Sequence, residues 1–440
     1  MSKFALLFLL VFFGGIGAAL MYSSAAAFGV YQLVYLLNPD DRWWSASIPG
    51  LRYSLIASIL MLLVLGLRYK ELTAISPWFR HPTFKWILFL LLLYAVSLSY
   101  ALVQVEHKKF LIDFLKLVVV IFVAYKLVNN ERSLDFILWV YCIGCGYIGY
   151  LAWTVGRNSQ GRVEGIGFAD GHDANGVAAA IAPSLVLLLY YFWQGSVKFK
   201  VFSAFFGALI ANGLVLINSR GSFLAVVISS SIFVLFMVFS RFQKKGQKAT
   251  ALFVVIFGVS GALYVTDDLF WERMGTLQNI SEDEGRSSGA SRTEFWLATF
   301  PMIADHPKGL GISGFQLMSS QYIREDIIGG VEYRAVHSSW FQVLSELGWL
   351  GPIILALVIF SLFKSSAKAK KYLVGSKDHS AYFKVLAIEC SVVSYFVAAT
   401  FIDRVRAEVF WWVVLFLMIA TNVYYLKKVA KGGAEKFDEN

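Results

Sequence analysis

Charge is scarce in this chain. Asp, Glu, Lys and Arg make up 15% of its 440 residues, against 58% hydrophobic ones, whereas soluble domains usually carry about 25% charged residues. With a mean hydropathy of +0.63, the composition excludes a soluble protein of this size and leaves a polytopic membrane protein. Cysteine is nearly absent too. Cys142, Cys145 and Cys390 all fall inside apolar runs, and the C-x-x-C of the first two has no second ligand pair, so they read as small packing residues rather than a zinc or redox centre. No His, Cys, Asp or Glu cluster has metal-ligand spacing, so no cofactor is expected. The alternating pattern of a membrane barrel is missing, which leaves helices as the spanning element.

The net charge of +10 does not point to nucleic acid, because the basic residues lie in short connections between apolar runs, where they set membrane orientation. The first apolar stretch, Phe4 to Leu37, lacks a convincing cleavage site and reads as a retained anchor.

What the chain does have is apolar runs of roughly 17 to 25 residues, the length that a hydrocarbon core of about 30 Å requires. They place about twelve transmembrane helices, near residues 4–37, 51–67, 84–103, 109–127, 132–154, 173–193, 199–217, 222–240, 249–266, 339–363, 381–402 and 407–426. The first is too long for one straight crossing and holds Gly14, Gly15 and Gly17, so a kink or tilt is expected there. The expected organisation is all-α: nine helices over 1–266, a large loop with short helices over 267–338, and three helices with a tail over 339–440.

Alternate connections differ in their basic residues. The side holding Lys3, Lys427, Lys428, Lys431 and Lys436 is the richer and is expected to be cytoplasmic, which puts both termini inside and the large loop outside. The inner set is mostly lysine and the outer set mostly arginine. Orientation alone does not demand that. A planar, permanently ionised fork that grips phosphate in bidentate fashion suits an anionic, phosphate-bearing substrate, with lipid headgroup contact as the plainer alternative.

Within the outer loop, Thr276 to Gly289 is polar and expected to be mobile. Ser291-Arg292-Thr293-Glu294 then forms a capping box that opens an amphipathic run. Arg292 is therefore expected in a first helical turn, where free N–H groups and the helix dipole favour an anion. Pro307 and the glycines of KGLGISGF end that helix. Gly309 to Gly314 spells G-x-G-x-x-G, but no strand precedes it, and it reads as turns rather than a nucleotide loop.

Three residues of the outer face stand out. Arg220 lies between two spans, Arg292 at the start of the loop helix, and His337 immediately before an apolar run, where the chain returns to the membrane. Histidine is the one side chain whose ordinary pKa suits proton transfer near neutrality, and two arginines can hold a pyrophosphate leaving group. Each has a plainer reading: a satisfied interfacial histidine, a headgroup anchor for Arg220, a loop ion pair for Arg292. Arg52, just inside the second span, reads first as an anchor. Glu346, on the helix that follows His337, is placed to pair with an arginine or to pack against polar neighbours. His81, His107 and His379 lie in charged connections and read as surface groups, while His172 and His306 face outward and are weaker candidates.

Arg220 to Leu224 fits R-x3-L, and His337 with Gly348 fits H-x10-G; the pair resembles the motifs of the bacterial O-antigen ligases. Twelve spans, internal termini and one large loop before the histidine are similar to that family as well. The resemblance implies a metal-independent, inverting lipopolysaccharide ligase whose fold resembles the C-type membrane glycosyltransferases. Such an enzyme moves O-antigen glycan from undecaprenyl pyrophosphate to a sugar hydroxyl of lipid A-core, at the periplasmic face of the bacterial inner membrane. Carried over by motif, His337 assists deprotonation of the acceptor hydroxyl, and Arg220 and Arg292 bind the donor's pyrophosphate. An O-antigen or exopolysaccharide polymerase shares the donor, the topology and the arginine-rich face, and sequence separates the two poorly. A protein O-glycosyltransferase is a third reading. A transporter or flippase needs polar groups along a path through the bilayer; the mid-span candidates Asp113, Lys116, Lys384 and Glu389 equally suit pairing that fixes helix packing.

Overall fold

The computed structural model describes residues 2–159, 161–168, 171, 173–240, 242–275, 289–328 and 333–430. His172 and all of the polar stretch Thr276 to Gly289 except Gly289 itself lie outside the described residues. The described residues form helices and no β-strand. In the first half come α1 (Lys3–Met21), α2 (Ala25–Leu37), α3 (Tyr53–Leu67), α4 (Tyr69–Ile75), α5 (Thr83–Ser97), α6 (Gln104–Leu127), α7 (Glu131–Val155), α8 (Ala174–Gln194) and α9 (Val197–Ile217). Then follow α10 (Arg220–Phe239), α11 (Gln247–Val265), α12 (Asp268–Gly275), α13 (Gly289–Asp305), α14 (Gly314–Tyr322), α15 (Glu325–Ile328), α16 (Ser339–Leu347), α17 (Leu350–Gly375), α18 (His379–Ala399) and α19 (Glu408–Thr421).

Local chemistry sets several of these boundaries. Asn130, Asp173 and Asp378 are N-caps whose side chains accept from the amides of Ser133, Gly176 and Ala381 at 3.0, 2.8 and 3.1 Å. Where α7 crosses α9 the backbones touch. A Cβ on Gly149 would stand 2.3 Å from the Leu209 carbonyl oxygen, so only glycine permits that approach.

Among the described residues, nine helices are long and apolar enough to cross a membrane, ten if the bent pair Tyr69–Arg80 and Thr83–Ser97 is one span. The protein is therefore a multi-pass membrane protein, but the expected count of twelve is not the one that length and composition give. Two expected spans are broken, each for a local reason. The run over 4–37 divides at residues 22–24 into α1 and α2. Phe4 and Phe8, at the start of α1, pack on Trp43 and Trp44 beyond the end of α2, with ring centroids 5.7 and 5.3 Å apart. At the other end Arg68 donates to Leu20 O at 3.1 Å and Ser24 donates to Leu127 O at 2.7 Å. α1 and α2 are thus antiparallel, and α2, at 13 residues, is shorter than the helices counted as spans. Lys3 stands at the end of the bundle that holds His337, and Lys427 at the opposite end.

The run expected over 339–363 is also two helices, α16 and α17. Gly348 ends α16 at φ +63°, and a Cβ there would lie 2.2 Å from Pro307 O, a joint that only glycine can make. α17 then starts afresh, with Pro352 in its first turn, where proline is tolerated.

Three histidines read as surface groups are buried. His81 lies 2.9 Å from Thr421 Oγ1 through Nε2, and His379 lies 2.8 Å from Gln247 Oε1. His107 Nδ1 accepts from the Ile312 amide at 2.9 Å, so it ties α6 to the loop that precedes α14. The cysteines are buried and free, as expected for packing residues. Asp113 and Lys116 pair with each other at 2.9 Å on an exposed face of α6. Lys384 and Glu389, by contrast, are each held by other helices: Lys384 by Glu131 and Asp135 of α7, Glu389 by Lys370 of α17.

Candidate active site

α9 ends at Asn218, whose left-handed backbone (φ +57°) reverses the chain, and Arg220 opens α10 two residues later. The start of α10 presses on the turn between α18 and α19. A Cβ on Gly221 would be 2.9 Å from the Phe401 ring. α13 closes over the same turn: the Trp296 ring lies 6.2 Å from Phe401 and stacks 5.6 Å from Phe341 of α16. One residue earlier, the Phe295 ring lies 6.4 Å from His337. Arg292 precedes these rings by three and four positions, which places it on their side of the helix. α13 begins at Gly289 rather than at the expected capping box, yet Arg292 still falls in its first turn.

His337 has φ +51°, the left-handed region that side-chain-bearing residues seldom occupy. The next residues pin the turn between α18 and α19. Ser339 Oγ donates to Ile402 O at 2.7 Å and accepts from Arg404 N at 3.0 Å, which holds Asp403 from both sides. Trp340 Nε1 donates to Thr400 Oγ1 at 3.0 Å. From another direction comes the start of α8. Its cap, Asp173, sits beside Gly176, and the Arg404 guanidinium lies so close to Gly176 that a Cβ there would be 3.1 Å from Nε. Arg162 joins this point to the end of α9, donating to Asn175 Oδ1 at 3.0 Å and to Ile217 O at 3.4 Å.

The electrostatics show which of these groups act on one another. Burial lowers the Arg292 pKa below its usual 12.5; Arg220 and Arg162 add to that, and Asp173 and Asp403 oppose it. Burial also lowers the His337 pKa below 6.5; Asp403 opposes this, Arg292 reinforces it, and Asp173 and Arg334 contribute in turn with opposite signs. At neutral pH the imidazole is therefore neutral and able to accept a proton, while the arginines remain cations.

Arg292 is thus within electrostatic range of both Arg220 and His337, which come from two other elements. Arg52 is not with them; it stands exposed at the mouth of α3. Glu346, 3% exposed, pairs with Arg406 and accepts from Tyr94 Oη at 2.7 Å and Gln342 Nε2 at 3.1 Å. Gly348 is a backbone joint: the glycine loop docks beside it through Leu310 N to Ser345 O and Gly311 N to Glu346 O, both 2.9 Å. The same contacts make Gly309 to Gly314 turns, as read from the sequence. Sequence reasoning missed Arg162, Asp173, Asp403 and Arg404. Their only signal was membership of short polar connections assigned to the same side as His337.

Fold and site define a multi-pass membrane protein with a half-buried cluster of arginines and one histidine, flanked by two carboxylates, at one end of its bundle. Residues 205–356 match the family model described as O-antigen ligase. The match supports the O-antigen ligase family indicated by the motifs and, more broadly, the ligase/polymerase superfamily of glycosyltransferase-like enzymes that use lipid-linked glycans. Arg220, Arg292, His337, Glu346 and Gly348 all lie inside the matched segment; Arg52, Asp173 and Asp403 lie outside it. A search of curated proteins found no match.

Proposed function

We propose that the chain is an O-antigen ligase that moves a glycan from undecaprenyl pyrophosphate to a sugar hydroxyl of lipid A-core, with His337 as the base and Arg220 and Arg292 as the pyrophosphate ligands. The reading is carried by the meeting of these three side chains beside Asp403 and Asp173. The acceptor oxygen attacks the anomeric carbon on the face opposite the pyrophosphate. A C–O bond to the acceptor forms as the bond to the phosphate oxygen breaks, His337 takes the hydroxyl proton, and the configuration inverts. Pyrophosphate leaves without protonation when its growing charge is stabilised, and one such contact typically lowers the barrier by about 2.7 to 4 kcal/mol. Burial helps twice, because it keeps the imidazole neutral and weakens screening around the arginines. Asp403 and Asp173 then stabilise the imidazolium that forms.

Arginine at the His337 end and lysine at the other favour a periplasmic location, at the bacterial inner membrane, for the His337 end. The C-terminus is then cytoplasmic and Lys3 periplasmic. Residues 267–338 form the periplasmic loop between the helical parts 1–266 and 339–440.

The test is reconstitution of the purified protein in nanodiscs with lipid-linked glycan and lipid A-core. Transfer by wild type and its loss in His337→Ala support the reading; full transfer by His337→Ala removes the base. A polymerase, equally compatible with the family match, lengthens the lipid-linked glycan in the same assay and leaves the acceptor untouched.

A further inference from the structure

Beside the arginine cluster lies a cavity of about 1210 Å³ between α3 and α6, and Arg220, Arg292 and His337 do not line it. The two regions share a seam. Val336, Asp403 and Arg404 form part of the cavity wall, and Asp403 is the residue held beside His337 through Ser339. Along α6 the lining runs from Glu106 to Val123, roughly 26 Å at 1.5 Å per residue. The space therefore accepts chains lying along the membrane normal as well as a headgroup.

Its long walls are mostly apolar, interrupted on α6 by the Asp113–Lys116 pair, and open to the side. Leu55 and Leu62 of α3 are 49% and 50% exposed, and Leu115 and Val119 of α6 are 47% and 41% exposed, as side chains at a lipid-facing mouth are. The end near His337 is charged with both signs: Glu106, Glu346 and Asp403 line it together with Lys109, Arg404 and Arg406. A pyrophosphate there meets carboxylates, whereas on the far side of the seam it meets Arg220 and Arg292. Sugar hydroxyls both donate and accept, so a wall of mixed sign suits them.

We propose that this groove holds the acceptor glycolipid, its acyl chains between α3 and α6 and its sugars against the Asp403–Arg404 seam. Donor and acceptor then approach His337 from opposite sides of that seam. The inference rests on the ligase reading for the donor side. It also explains why the 403–406 turn is fixed so firmly: Glu346 and Gln342 of α16, with Tyr94 of α5, hold Arg406 and the Val405 amide.

The test uses full-length protein in nanodiscs, with a photo-crosslinking residue replacing Ser58, which lines the groove from α3. Radiolabelled lipid A-core is expected to crosslink there, and labelled undecaprenyl-pyrophosphate glycan is not. Ser58→Trp, which fills the groove, is expected to raise the acceptor KM by about tenfold while the donor KM stays within about twofold. Crosslinking of the donor at Ser58, crosslinking of bulk phospholipid alone, or a donor KM that rises in place of the acceptor's overturns the proposal. Should wild type crosslink the acceptor at Ser58 yet transfer nothing to it, the groove stands and the ligase reading falls. Should it transfer normally with no acceptor crosslink and no effect of Ser58→Trp, the reverse holds.

Discussion

Both ends of the bundle bury charge, and they do so in opposite ways. Away from His337, Lys384 is 5% exposed and lies 3.0 Å from Glu131 and 2.9 Å from Asp135, while Tyr424 donates to Glu131 at 2.8 Å. Nearby, Lys370 and Glu389 stand 2.6 Å apart, and Ser366 donates to the same carboxylate at 2.7 Å. Cations there face carboxylates. At the His337 end Arg292 is half-buried within electrostatic range of Arg220 and Arg162 and also of Asp173 and Asp403, so cations meet other cations as well as carboxylates. Buried charge of one sign is costly unless an opposite charge completes it. The first arrangement fixes helices, and the second, on the proposed reading, holds the donor's pyrophosphate.

The comparison breaks most visibly by removing single charges at each end. Arg292→Ala, Arg220→Ala and His337→Ala should each lower transfer about 10² to 10³-fold, measured with purified protein and defined lipids. Arg292→Ala and His337→Ala should not lower the thermal midpoint, because Arg220 and Arg162 act on Arg292 more strongly than Asp173 and Asp403 do and the histidine is neutral. Lys384→Met should do the reverse. Loss of its charge-assisted hydrogen bonds to Glu131 and Asp135 should cost roughly 1.5–3 kcal/mol of stability, with KM for both substrates unchanged. If Arg292→Ala unfolds the protein while Lys384→Met leaves stability unaltered, the two ends have been assigned the wrong way round.

A smaller effect separates the joint from the chemistry. Gly348→Ala forces a side chain into φ +63° and towards Pro307 O, which a Cβ would approach to 2.2 Å. About 1–3 kcal/mol of local strain should loosen the docked glycine loop. Hydrogen exchange should quicken at the Leu310 and Gly311 amides, which donate to Ser345 and Glu346, well before global unfolding is affected.

The residues legible in the sequence were those whose role is written locally. Arg220 follows a span and begins another, Arg292 sits behind a capping signal, and His337 precedes an apolar helix. Asp173 and Asp403 carry no such mark, because their importance comes from which connections meet, and hydropathy does not encode that. His107 was misread for the same reason: its partner, the Ile312 amide, lies 205 residues away. The division of the first span was hidden because Tyr22-Ser23-Ser24 is only weakly polar and serines are tolerated inside apolar helices. Gly348 was visible as a motif position, but its work depends on the carbonyl of Pro307 from another segment.

The finest test of the contrast lies in the pH dependence of transfer. His337 is depressed below 6.5 by burial, and Asp403 is the group that most opposes the depression. As a base it must be neutral, so the rate should fall as pH drops through its folded-state pKa, which lies below 6.5. Asp403→Asn removes an influence that raises this pKa, so the acid limb should move to lower pH. Arg292→Gln removes one that lowers it, and the residual activity should show the opposite displacement. Stability follows the same group: between the folded-state pKa and 6.5 the unfolded chain binds more protons, so stability should decline as pH falls through that window. An acid limb that stays fixed in Asp403→Asn would mean that the limiting ionisation belongs to another residue.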